Sequence, residues 1–259
     1  MPILKVRGAV EKYKVLSNYV NKDNLHWLNG RGPEKSKTKF RNYTIFDKIK
    51  NFGFKGETMV DVGCGDGSLL EIFSAHFDSL IGITPTIDEC AAISRYKSSR
   101  NVSYKVSLSD NLDIKTESVD LLVCNNVLHG IGSCEKLFRD SLQEFSRVLK
   151  REGVLFLGEL PCADEYKNRS YGTSVINYLI HLFKRTSPKF CARELNRMII
   201  SSFTKRPYIL QPQNGFYCDV GRAILELRSA GMLIQFVDES DKNADGSKVK
   251  RYDYVTVKG

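Results

Sequence analysis

The segment Thr58-Met59-Val60-Asp61-Val62-Gly63-Cys64-Gly65-Asp66-Gly67-Ser68-Leu69-Leu70 constrains this chain more than any other. A strand-like apolar run meets three glycines set one residue apart, and apolar residues then resume at helical spacing. Glycines let a backbone turn tightly and approach a ligand without a Cβ clash. In an open parallel sheet, ligands bind beyond the carboxyl ends of the strands, where the strand order reverses. A dinucleotide loop expects G-x-G-x-x-G/A with a pyrophosphate on the helix N-terminus. Here the third glycine comes one residue early, at Gly67, and Ser68 stands where the last small residue would be. The loop is therefore G-x-G-x-G preceded by an acid on the strand. A tight turn with no ligand is the competing reading.

Around this loop the chain alternates. Strand-like runs fall at Thr58–Val62, Ser79–Thr84, Val102–Val106, Val119–Cys124 and Val154–Glu159. Helical patterns lie between them, one with Leu69, Ile72, Phe73 and His76 on a face, and another with Phe138, Leu142, Phe145 and Leu149. A third starts at a capping box, Thr86-Ile87-Asp88-Glu89. Such alternation predicts βαβ units and a parallel sheet covered on both faces. A helix near Val220–Ala230 precedes Met232–Asp238 and Tyr252–Lys258, two strands joined only by a polar turn and hence antiparallel neighbours. Helical stripes at 9–20 and 39–51 precede the loop. Between Leu160 and Cys218 the candidate helices Tyr171–Lys184 and Ala192–Phe203 fit no βα unit.

Residues 58–160 resemble the class I S-adenosylmethionine-dependent methyltransferases. Val60–Leu70 looks like that family's first motif. Ser118–His129 is similar to its fourth-strand motif, and Phe145–Gly153 to the turn into its fifth strand. The resemblance implies a three-layer αβα fold whose seven-stranded sheet is mostly parallel with an antiparallel last strand, plus a helical cap. With the segments outside that resemblance, the chain is expected to divide into an N-terminal helical cap (1–55), a cofactor-binding core (56–160 and 218–259) and a substrate-side helical cap insertion (161–217). The resemblance also implies binding of S-adenosyl-L-methionine and release of S-adenosyl-L-homocysteine. Gly63, Cys64, Gly65 and Gly67 would then contact the cofactor, Asp61 would organise the loop, and Asn125 with Asn126 would meet its amino-acid end. Leu108, Ser109 and Asp110 would lie against adenine.

Two positions depart from the family pattern. The acid that ends the second strand and grips both ribose hydroxyls is replaced by Thr84, which can make one neutral hydrogen bond where a carboxylate makes two charge-assisted ones. The acid near adenine is replaced by Leu108, with Asp110 two residues on. For the chemistry itself, His129 is the favoured base, because it follows a strand end and imidazole titrates near neutrality. Glu159, at the next strand end, and His181, on the insertion, are the other candidates. A packed histidine, a loop-bracing carboxylate and a surface residue are their bland counterparts.

Charge locates the acceptor. Residues 1–55 carry 13 Lys/Arg against 4 Asp/Glu and residues 161–217 carry 9 against 3, whereas 56–160 carry 10 against 16. Two basic caps beside an acidic core favour an anionic ligand: a phosphorylated metabolite, a sugar nucleotide, an acidic glycan or RNA. The expected activity is O-methylation of a hydroxyl on a small anionic metabolite or glycan. RNA methylation through the basic caps is the alternative, and a non-catalytic relative with a degenerate ribose site, acting through a protein partner, is the third. Seven cysteines without Cys-x-x-Cys spacing read as reduced thiols of a cytoplasmic protein, with no metal site expected. No apolar run reaches the roughly 20 residues of a membrane span. A monomer or a homodimer is expected.

Overall fold

A computed structural model of the chain describes residues 3–5, 9–29, 35–52, 56–97, 99–130, 135–162, 176, 178–180, 183, 188–203, 208–210, 216–240 and 250–259. Strand β1 (Ile3–Lys5) leads into helices α1 (Ala9–Ser17) and α2 (Lys35–Ile49). The alternating core follows as β2 (Gly56–Val62), α3 (Ser68–Phe73), β3 (Phe77–Thr84), α4 (Ile87–Tyr96), β4 (Val102–Val106), β5 (Val119–Asn125), α5 (Glu135–Val148) and β6 (Leu149–Pro161). Helix α6 (Pro188–Phe203) and β7 (Tyr208–Leu210) come next, then α7 (Val220–Ser229) and the hairpin β8 (Met232–Glu239) and β9 (Arg251–Lys258).

Seven strands form one sheet in the order β4-β3-β2-β5-β6-β9-β8. Strands β2 to β6 are mutually parallel, and β9 runs antiparallel to both of its neighbours. The order reverses between β2 and β5, so the crevice at their carboxyl ends is where such a sheet takes a ligand. This is the class I methyltransferase architecture expected from the sequence.

The period-2 alternation of the strands decides which helices cover which face. Val60 and Val62 of β2, with Leu122 and Cys124 of β5, pack with Phe138, Leu142 and Phe145 of α5 and Ala223 and Leu227 of α7. Met59 of β2, with Leu121 and Val123 of β5, packs on the opposite face with Leu16 of α1, Ile45 and Ile49 of α2, Phe73 of α3 and Ile93 of α4. The amino-terminal helices are thus part of the second layer. Asp61 shares the Met59 face, which is why α2 becomes its neighbour.

Two features differ from a uniform βα alternation. No helix joins β4 to β5; instead Arg147 of α5 donates to the carbonyls of Leu112 (3.2 Å) and Ile114 (2.9 Å) and to Thr116 Oγ1 (2.8 Å). Glu144 pairs with that guanidinium and accepts the Leu112 N–H at 2.7 Å. The pair anchors the connection to the helix face. In addition, β1 and β7 form a separate two-stranded parallel sheet, Leu4 opposite Ile209, linking the amino terminus to the segment before α7. At three residues each, neither strand shows an alternation that sequence reading could detect.

Candidate functional site

The glycine loop leaves β2 with Gly63, Gly65 and Gly67 all at positive φ (74°, 57° and 73°). The N–H groups of Gly63 and Cys64 both donate to Ile83 O, at 2.9 and 3.1 Å, which ties the loop to the end of β3. A Cβ on Gly63 would lie 2.3 Å from Val127 Cγ2, so the loop and the exit of β5 are in backbone-close contact. Ser68 N–H bonds Asp66 Oδ1 (3.1 Å), and the Ser68 hydroxyl accepts from Asn42 of α2 (2.9 Å). The loop is therefore braced from the amino-terminal layer.

Asp61 is buried beneath this loop, and burial raises its carboxyl to about 7, with Arg41 of α2 opposing the shift and Asp66 adding to it. Burial also lowers Arg41, whose Nε has no hydrogen-bond partner among the described residues. Burial and the Asp61 charge push the thiols of Cys64 and Cys124 up, which leaves both as packing groups rather than nucleophiles.

The raised carboxyl predicts a pH dependence of stability. The folded value lies above that of an unfolded Asp, about 3.9, so the unfolded chain ionises first as pH rises. Stability should fall through the window from about 4 to about 7, by at most about 1.4 kcal/mol per pH unit. Asp61→Asn should flatten that slope in urea unfolding at pH 5 and pH 8 and gain relative stability at pH 8. An unchanged slope would mean that Asp61 is already ionised in the fold.

At the neighbouring strand ends the backbone is strained. Asn126 after β5 has φ 60°, and Glu159 near the end of β6 has φ 58°. Left-handed non-glycine residues persist only where surrounding contacts fix them, and such residues cluster at functional sites. Arg251 of β9 supplies the contacts: its Nη1 donates to Asn126 Oδ1 (3.1 Å) and to Glu159 O (3.0 Å). Glu159 N–H donates to Asp253 Oδ1 at 2.8 Å, and Lys48 of α2 reaches Asp253 Oδ2 at 2.7 Å. Asn125 lies over Gly158, where an added Cβ would meet Asn125 Oδ1 at 2.2 Å; Asn125 Nδ2 is buried without a hydrogen-bond partner among the described residues.

His129 sits in the 3-10 turn Leu128–Gly130 beyond β5. Its carbonyl accepts the Phe216 N–H (3.1 Å), and Cys218 N–H donates to Pro161 O (3.2 Å). The segment preceding α7 therefore crosses both strand ends, and Phe216 stacks on Phe138 with ring centroids 4.5 Å apart. Asp61, the glycines, Asn125, Asn126, His129 and Glu159 thus converge on the carboxyl ends of β2, β5 and β6.

The adenine-side candidates are more dispersed. Thr84 is fully buried and donates to Thr86 O (3.3 Å). Ser109 is buried with its hydroxyl 2.8 Å from Ser141 Oγ of α5, so it serves helix docking. Leu108 is exposed and, with Val106, Ser107 and Asp113, lines an open cleft beyond β4. Asp110 is half-buried on the same turn. His181 and most of the helix expected at Tyr171–Lys184 lie outside the described residues. Arg41, Glu89 and Arg251 carry no signal as site residues in the sequence: only the packing of α2 and the sheet order bring the two arginines to the strand ends, and Glu89 reads as part of a capping box.

Residues 60–157 match the family model described as a methyltransferase domain. The chain carries a class I S-adenosylmethionine-dependent methyltransferase domain. Over 108 residues it is 31% identical to the mitochondrial ubiquinone biosynthesis O-methyltransferase of Mus musculus, a match spanning 39% of this chain and 28% of that protein. The chain thus matches less than a third of that relative's length. Among solved structures, the [4+2]-cyclase SpnF superposes with a TM-score of 0.63 at 12% identity, covering 100% of this chain and 98% of that one. The N-methyltransferase NodS of Bradyrhizobium japonicum, in complex with S-adenosylhomocysteine, superposes with a TM-score of 0.58 at 14% identity, covering 95% and 97%. These two share the fold.

The donor set fits that cofactor. Left-handed glycines leave a surface that a Cβ would fill, a buried carboxyl sits beneath it, and Asn125 Nδ2 at the exit of β5 is a buried donor with no hydrogen-bond partner among the described residues. No helix among the described residues is long and apolar enough to cross a membrane.

Proposed function

We propose that this protein transfers a methyl group from S-adenosylmethionine to a hydroxyl of a small, anionic acceptor. The observation that carries the reading is the left-handed glycine loop over buried Asp61 at the strand-order reversal, in the segment that matches the methyltransferase domain. The cofactor, when bound, supplies a methyl group already activated by its sulfonium. Gly63, Gly65 and Gly67 let the backbone close on it, Asp61 orders the loop, and Asn125 meets its amino-acid end.

The chain's own part in the reaction is then alignment and removal of one proton. His129, on the turn beyond β5, is the group assigned to that proton. Arg251 fixes the flanking strand ends by bonding Asn126 and Glu159 together, which narrows the acceptor's approach. The excess of Lys and Arg in the sequence of 1–55 and 161–217 supports an anionic acceptor. The O-methyltransferase named among the relatives supports a hydroxyl acceptor.

Calorimetry with S-adenosylhomocysteine, followed by methyl transfer to a panel of hydroxybenzoates and sugar phosphates, tests this. The expected results are saturable binding and a methylated hydroxyl on at least one anionic acceptor. No binding at millimolar ligand overturns the enzyme reading. Transfer confined to RNA, with affinity falling steeply between low and moderate salt, overturns the small-acceptor reading.

A further inference from the structure

The strand-end position that should carry a ribose-gripping acid holds Thr84, and its hydroxyl is committed to the Thr86 carbonyl within the turn into α4. That turn delivers another acid from the helix. Glu89 lies in the first turn of α4 and is 2% exposed. Thr86 Oγ1 accepts the Glu89 N–H at 3.2 Å, as a capping box requires. The reciprocal half of that box would send the carboxylate back to the Thr86 N–H. Instead, Glu89 Oε2 is buried with no hydrogen-bond partner among the described residues.

The turn that carries this carboxyl group adjoins the glycine loop, because Gly63 and Cys64 N–H both donate to Ile83 O, the residue before Thr84. Helix α1 packs on α4 and brings the Lys12 charge to bear on Glu89, while Glu89 in turn raises the Cys64 thiol in the loop. Burial drives Glu89 up to about 8, with Lys12 opposing. A buried acceptor without a donor is a standing cost to the fold. A ligand carrying two adjacent hydroxyls removes it, because a carboxyl group can accept from both.

We propose that Glu89, reaching in from α4, accepts the ribose hydroxyls of the adenosyl group in place of the strand-end acid that this chain lacks. The proposal rests on the adenosylmethionine reading of the site. It makes the ribose subsite a helix-borne device, with Thr84 and Thr86 setting the turn that aims it.

Calorimetry on the full chain with S-adenosylhomocysteine and with its 2′,3′-dideoxy analogue, each against wild type and Glu89→Gln, provides the test. Glu89→Gln should weaken S-adenosylhomocysteine binding by about 10- to 100-fold. The dideoxy analogue should bind wild type with a comparable loss, and the two losses should not add when combined. Thermal unfolding of Glu89→Gln at pH 7 should show stability close to that of wild type, since an amide of the same shape replaces a carboxyl that burial keeps largely protonated. Equal affinity of Glu89→Gln and wild type for S-adenosylhomocysteine overturns the proposal, as do fully additive losses, which would assign Glu89 to Lys12 and the packing of α1. Failure of wild type itself to bind at millimolar ligand overturns the reading of the whole site, a result distinct from both.

Discussion

Alanine at position 63 should abolish measurable S-adenosylhomocysteine binding, a loss of at least about 100-fold, and lower the unfolding temperature by several degrees. Two costs combine. Gly63 sits at φ 74°, where a Cβ costs roughly 1–2 kcal/mol. The added carbon would also lie 2.3 Å from Val127 Cγ2, far inside contact distance. Something must then move. Either the loop withdraws, pulling the Gly63 N–H from Ile83 O, or Val127 shifts and takes with it Asn126 and the turn bearing His129. Either movement deforms the surface proposed to meet the ligand. The contrast with Gly67 makes the test specific, because a Cβ there meets Tyr104 Oη at 2.6 Å, the end of a side chain that can swing. Gly67→Ala should therefore bind more tightly than Gly63→Ala. Adding Val127→Ala to Gly63→Ala should recover part of the stability, relieving the clash and leaving the φ penalty. Wild-type affinity in Gly63→Ala would detach the loop's close approach from ligand binding.

The features most legible in the sequence were those encoded locally. Asp61 through Gly67 carried its own turn, and the Phe138, Leu142, Phe145 stripe announced a helix that the structure buries against β5 and β6. The antiparallel β8–β9 pair followed from two strands with no helix between them. What escaped is what depends on long-range contact. Arg41 reaches the field of Asp61 only because Met59 and Asp61 face the layer built by α1 and α2. Arg251 lies on the last strand, yet it bonds the two left-handed residues that end β5 and β6, a union created by sheet order alone. Glu89 was legible as a capping residue, and local propensity correctly supplied the Thr86 half of that motif. Its Oε2, without a hydrogen-bond partner among the described residues, becomes meaningful only when the departure at Thr84 is set beside it.

Glutamine at position 129 should cut the rate of methyl transfer by about 10²–10⁴-fold, the range expected for loss of a positioned general base. The backbone at this residue is held independently of its side chain. The 3-10 turn Leu128–Gly130 follows β5 directly, Leu128 is buried in the sheet core, and the His129 carbonyl is bonded to Phe216 N–H at 3.1 Å. His129→Gln should therefore keep the fold and bind S-adenosylhomocysteine with near-normal affinity, confining the effect to turnover. The pH profile supplies the sign. A base works only when neutral, so the wild-type rate should fall as pH drops below the range near neutrality in which imidazole titrates. Glutamine cannot titrate there, and its residual rate should lose that limb. Glu159 is the internal control. Its carboxyl belongs to the adjacent strand end, and Glu159→Gln should preserve the limb if His129 takes the proton. Should His129→Gln turn over acceptor at a near-normal rate with the limb intact, proton removal passes to Glu159 or to solvent, and the loop and the strand ends contribute alignment alone.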